Sequence, residues 1–193
     1  MRLDRTIAFS SLPFICSAVG WKEEKNMLQP IPYTSLELNP FNLFGKDLTL
    51  ITAGTVAKWN TMTAAWGGMG YLWEKPAVFV FVRPSRYTHA FLEAGDGFTC
   101  SFFPASYHEK LLYLGSHSGR DEDKTGKMGM KAQVLSPNRI TFWGSNLVFS
   151  CKKAAKLAVE KEKFSLPRIE EMYNGNDYHE MYVGFIETVY KDQ

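Results

Sequence analysis

The chain has 193 residues, with 22 Lys and Arg against 20 Asp and Glu and a formal charge of +2, a balance that makes no electrostatic case for nucleic acid or a membrane surface as partner. The length suits one well-buried domain, and no Pro/Ser/Gly linker divides it. Three cysteines, Cys16, Cys100 and Cys151, stand too far apart for a zinc site, an iron–sulfur cluster or a disulfide framework, which favours a reducing compartment.

Arg2 and Arg5 followed by the mostly apolar run 7–20 have the outline of a short signal peptide. Pro13, Ser10, Ser11 and Ser17 dilute that run, Ile15 before Cys16 breaks the lipoprotein pattern, and Met27 is an alternative start. The expectation is a cytoplasmic protein, with export as the alternative. Residues 1–27 are then an extension and 28–193 the domain. The run is too short and too polar to span a bilayer.

Residues 28–46 carry Pro30, Pro32, Pro40 and Gly45 and read as an extended lead-in. The β-branched run 48–53, stopped by Gly54, is the first strand, and 60–66 is its partner across the turn at 54–59. Gly67, Gly68 and Gly70 mark a turn. The segment 76–83, apolar without a break from Ala77 to Val82, is a strand covered on both faces. Tyr87, Phe91 and Ala94 recur at helical spacing before Gly95, which predicts a short helix over 86–94.

Residues 97–103 read as a strand. Ser106 and Glu109 then form a capping box for a helix with the stripe Tyr107, Leu111 and Leu114, ended by Gly115. Residues 116–131 are a polar loop with at most one helical turn. Two long strands follow, from Ile140 to about Ala154 and over 181–190, and the Ala/Lys/Glu-rich stretch 153–162 is helical on propensity. Strands outnumber short helices, so a barrel-like β core with helices at its rim is favoured over a doubly wound sheet.

Familiar chemistries fail. Gly68-Met69-Gly70 begins like a dinucleotide fingerprint, but Trp73 takes the place of the third glycine. Gly115-Ser116-His117-Ser118-Gly119 has the glycine spacing of a nucleophile elbow around a histidine instead of a serine. His89, His108, His117 and His179 show no metal-ligand spacing. What remains is 59–91, where Asn60, Thr61 and Thr63 precede the glycines and Arg83, Tyr87 and Thr88 follow. Hydroxyls, amides and an arginine can hold a phosphate, and Trp66, Trp73 and Tyr87 can flank a flat ring.

The blocks NTMTAAWGG (60–68), EKP (74–76), VRPSRYT (82–88), SFF (101–103), SGRDEDK (118–124) and YHEMYVGFIE (178–187) occur in order. Together they resemble the flavoredoxin branch of the flavin reductase-like, FMN-binding split-barrel proteins. The resemblance implies a mainly β chain with short helices: a six-stranded antiparallel Greek-key split β-barrel. It also implies a homodimer binding FMN near the subunit interface, with NAD(P)H or a protein as electron donor and a small molecule or protein as acceptor. Thr61 and Thr63 would present hydroxyls and backbone amides to the flavin, with Asn60, Met62 and Ala64 along the strand and Trp66 closing one side. Arg83, Tyr87 and Thr88 would surround the phosphate and ribityl chain, Ser101, Phe102 and Phe103 would line the ring, and Arg120 and Lys124 would reach the phosphate from the long loop. His179 would stand beside the nicotinamide as the catalytic residue.

Each residue also has a plainer reading. The threonines suit any strand, Trp66 and Trp73 any core, Arg83 an ion pair, Tyr87 the helix stripe, and 118–124 a solvated loop. Cys100 and Cys151 read as buried thiols. In function the expectation is a flavin-dependent oxidoreductase, with a non-catalytic FMN module for storage or sensing as the alternative. Trp143-Gly144 departs from the acidic and small residues usual there in the family.

Overall fold

The computed structural model describes residues 27–173 and 175–193, so the signal-like run lies outside the described residues. Among them no helix is long and apolar enough to cross a membrane. β-Branched and aromatic residues gather in one antiparallel sheet of eight strands. Thr49–Thr55 (β2) and Lys58–Ala64 (β3) form a hairpin, with Thr49 opposite Ala64 and Thr55 opposite Lys58. A second hairpin joins Gly67–Leu72 (β4) to Lys75–Val82 (β5). Gly97–Phe102 (β6), Leu147–Ala158 (β9) and Glu180–Asp192 (β10) complete the order β3-β2-β6-β9-β10-β5-β4, and Leu28–Ile31 (β1) adds to the second half of β10.

The ends of that order, β3 and β4, follow one another in the chain yet share no ladder. β3 nonetheless approaches β5. The sheet is therefore curled, with its edges facing across a seam spanned by Ala65 and Trp66. Register shifts at Val183/Gly184 and Ile186/Thr188 bend β10, as bulges do. Gly184 is needed at the first of them, because a Cβ there would stand 2.5 Å from the Phe98 ring.

The inner face is the core: Ile51, Met62, Ala64, Val78, Val80, Val82, Phe98, Phe102, Phe149, Cys151 and Tyr182 pack together. The helices Pro40–Gly45 (α1) and Tyr87–Ala94 (α2) bury Phe44 and Leu92 in the same cluster. Outside β2, a second cluster joins Leu50 to Phe103, to Leu111 and Leu114 of His108–Ser116 (α3), and to Phe142. Lys124–Lys127 (α4) is the single helical turn of the long loop. The hairpin Ala132–Ser136 (β7) and Arg139–Phe142 (β8) is a separate two-stranded sheet.

Several expectations need correction. Gly67, Gly68 and Gly70 lie in a strand, and the turn is Trp73-Glu74, since Leu72 pairs with Lys75. Both turn residues have positive φ (50° and 60°), the geometry that strand twist demands of a two-residue turn and that glycine usually supplies. Gly67 is small for packing: a Cβ would meet the Phe44 ring at 2.6 Å and the Phe79 carbonyl at 2.8 Å. Part of the lead-in is helical, capped by Asn39, whose side chain accepts from the Phe41 and Asn42 amides. The Ser106/Glu109 box does not form; Tyr107 holds the N-cap position without a side-chain bond.

The strand expected from Ile140 is broken at 143–146, where Gly144 has φ 89°. Residues 153–158 are β9 rather than helix, because their ladder with β10 outweighs propensity. The fifth helix, Pro167–Glu171 (α5), lies in the connection from β9 to β10.

Folding also brings His89 and Glu93 of α2 to Glu180, with His89 Nε2 2.6 Å from a Glu180 oxygen. Lys156 reaches Glu93 at 3.0 Å and Glu180 at 3.2 Å, and the Tyr182 hydroxyl donates to Glu93 at 2.7 Å. The group is a closed ion-pair network tying α2 to β9 and β10.

Candidate functional site

The seam opens into a pocket of about 480 Å³ lined by Met62, Thr63, Ala64, Ala65, Trp66, Phe81, Arg83, Ser85, Arg86, Asp177 and His179. β3 supplies one wall and is paired on one side only, so every second amide of its outer edge lacks a ladder partner. The end of β5 and the loop into α2 supply the guanidinium groups, and the approach to β10 supplies His179.

The pocket is cationic. Burial and the neighbouring charge of Arg83 lower the Arg86 pKa, and Arg86 donates to the Gly115 carbonyl at 2.8 Å. The facing carboxylate, Asp177, stands 3.9 Å from Arg83 Nη1 and accepts from the Ser85 amide at 3.0 Å and the Ser85 hydroxyl at 2.6 Å. Burial, then Arg83, hold the His179 pKa at about 4, so the imidazole is neutral at neutral pH. Its ring lies against Trp66 at 4.9 Å, and Trp66 is 41% exposed, leaving ring surface free for stacking.

An apolar groove of about 690 Å³ shares Ala65, Trp66 and Phe81 with this pocket and runs on to Phe41, Phe44, Phe164 and Tyr173. A cationic recess beside an aromatic groove suits a ligand with an anionic end and a flat apolar end. A flavin mononucleotide fits that description: Arg83 and Arg86 are the donors able to take its phosphate, and Trp66 and Phe81 offer surfaces for its ring.

Six of the expected residues, Met62, Thr63, Ala64, Trp66, Arg83 and His179, line this one pocket. The Thr63 hydroxyl is committed to the Leu111 carbonyl. Thr61 is buried, with its hydroxyl on the Ile51 carbonyl and Thr52. Asn60, Arg120 and Lys124 meet in a neighbouring cleft of about 430 Å³, where Asn60 donates to Thr88 at 2.7 Å. Lys124 donates to the Leu114 and His117 carbonyls at 2.6 and 2.9 Å, and burial then Arg86 pull its pKa to about 8. Tyr87, under the Arg120 guanidinium at 5.1 Å, lines a different cavity with Ala90 and Phe91.

Ser101, Phe102 and Phe103 are buried away from the pocket: Ser101 bonds Thr141, Phe102 packs on Phe44 and Phe149, and Phe103 stacks on Tyr107. Ser85, Arg86 and Asp177 are additions. The first two were available in the VRPSRYT block, whereas Asp177 depends on a turn at φ 53° that the sequence does not announce.

No family model and no curated protein matches the sequence. Solved structures do. The flavoredoxin from Methanosarcina acetivorans superposes with a TM-score of 0.60 at 21% identity, over 82% of this chain and 75% of that one. The FMN-binding domain of a flavin reductases-like enzyme from Shewanella baltica gives 0.60 at 15%, over 87% and 78%. The styrene monooxygenase flavin reductase from Pseudomonas putida S12 gives 0.54 at 16%, over 76% and 81%. At such identities the likeness is one of fold. The chain therefore has the fold of flavoredoxins and flavin reductase-like FMN-binding proteins, in agreement with the resemblance its ordered blocks carry.

Proposed function

We propose that this protein is an FMN-binding oxidoreductase of the flavin reductase and flavoredoxin kind, taking electrons from NAD(P)H or a protein donor and delivering them to an acceptor. The observation that carries the reading is the pairing of Arg83 and Arg86, faced by the single carboxylate Asp177, next to an aromatic groove at the seam of this particular fold. Asp177 balances one of the two guanidinium charges, and a phosphate supplies the anion for the charge left over. Bound FMN supplies the redox chemistry.

The protein's own groups bind and orient. Arg83 and Arg86 hold the phosphate, the free edge of β3 offers amides, and Trp66 and Phe81 flank the ring. His179, neutral, faces the reacting partner. We read the curled sheet as a split barrel and the active form as a homodimer.

Anaerobic addition of NADH and NADPH to protein reconstituted with FMN tests the reading. Rapid bleaching of the visible flavin band is expected. Failure to take up FMN refutes the proposal, and tight uptake without bleaching by either nucleotide reassigns the chain as a flavin carrier or sensor.

A further inference from the structure

Tyr173, which follows α5 in the connection between β9 and β10, is a large pocket-side residue that no sequence signal singled out. It is only 6% exposed. Phe164 stacks on its ring at 6.0 Å and Tyr178 leans on it at 4.8 Å. The Arg83 guanidinium lies over its face at 5.2 Å, and its hydroxyl is 3.0 Å from Nδ1 of His179. One phenol thus joins the cationic end of the pocket to its imidazole.

We propose that Tyr173 is a positioning residue that fixes His179 in the tautomer carrying its proton on Nε2, so that His179 meets the pocket's occupant as a hydrogen-bond donor. This deepens the reading of the pocket as a ligand site. Of the two possible arrangements, O–H donating to Nδ1 or Nδ1–H donating to the oxygen, the first is favoured. An imidazole nitrogen is a better acceptor than a phenol oxygen, and a guanidinium over the ring weakens that oxygen further. Burial raises the Tyr173 pKa, which keeps the proton on the hydroxyl.

Among the described residues the His179 ring makes no other hydrogen bond; its backbone carbonyl accepts from the Val159 amide at 3.0 Å. The ring lines the pocket together with Trp66, 4.9 Å away, and Phe81, 6.5 Å away. Nε2–H is therefore left for the occupant. The charged groups acting on the imidazole are Arg83, Asp177 and Arg86, with a net positive field that opposes a second proton. The chemical consequence is selective. At this point the pocket accepts a carbonyl, a bare ring nitrogen or an anionic oxygen, and disfavours a group that can only donate.

The test uses the full chain without ligand. Proton–nitrogen NMR correlations of the histidine rings, assigned with His179→Asn, distinguish the two neutral tautomers across the pH range over which ordinary histidines titrate. Wild-type protein is expected to show His179 wholly as the Nε2–H form, and Tyr173→Phe, with an unchanged circular dichroism spectrum, a mixture of both. An Nδ1–H signature in the wild type overturns the proposal, as does an unaltered tautomer in Tyr173→Phe. Loss of fold in that variant leaves the wild-type spectrum to decide. The measurement involves no flavin, so its failure is separable from a failure of FMN uptake.

Discussion

Replacing Arg83 with Ala probes the phosphate end of the pocket most directly. The side chain is 33% exposed, its nearest carboxylate oxygen is 3.9 Å away, and the Met172 carbonyl lies at 3.4 Å, so neither partner neutralises the guanidinium closely. A hydrogen bond to a charged group contributes about 1.5–3 kcal/mol, and partial exposure selects the lower part of that range, about 1.5–2 kcal/mol. At about 1.4 kcal/mol per decade, the FMN dissociation constant should rise roughly 10- to 30-fold. Flavin fluorescence titrations with FMN and with riboflavin, which lacks the phosphate, measure this. Riboflavin affinity should stay within about twofold, and Arg83→Lys should fall between wild type and Ala because it keeps the charge and loses the fork. Equal weakening of both flavins, or of neither, would refute the placement of the phosphate at Arg83.

Lys124→Met should destabilise the fold by about 1–3 kcal/mol, read as a lower urea midpoint, because the residue is 4% exposed and its ammonium satisfies two carbonyls at the end of α3. His179 has a folded pKa of about 4 against 6.5 ordinarily, so the unfolded chain binds the extra proton between those values. Stability should accordingly fall as the pH drops from 6.5 toward 4, and a urea midpoint in His179→Asn should be less pH-dependent across that window than in the wild type. Gly67→Ala drives a methyl into the Phe44 ring and the Phe79 carbonyl and should lower stability by about 1–3 kcal/mol in thermal unfolding, the cost of overpacking. No loss there would mean that α1 can withdraw from the strand freely.

Local chemistry made much of this fold legible. The β-branched run ending at Gly54, the unbroken apolar segment 77–82 and the Tyr87–Phe91–Ala94 spacing each lie where the structure has a strand or helix. The failures have a common cause in contacts distant along the chain. Residues 153–158 favour a helix locally and are held extended by β10, and Gly67, in a strand rather than a turn, serves the approach of Phe44. Within the site, Arg83 and His179 were visible through motif position. Tyr173 was invisible because only the folded chain brings it to the imidazole, and the hydroxyls of Thr61 and Thr63 are consumed by bonds to the Ile51 and Leu111 carbonyls that alternation alone does not reveal.

The seam between β3 and β4 has an architectural consequence. Only Ala65 and Trp66 bridge it, and neither takes part in a ladder, while Leu28 at the start of β1 lies directly opposite Asp192 at the end of β10. Joining those two ends and opening the backbone after Ala65 would create a circular permutant of 27–193 that retains every rung of the sheet and severs only the strap across the pocket's mouth. Such a rearranged chain separates two demands that the natural connectivity combines: holding the curl together, and keeping Trp66 beside His179.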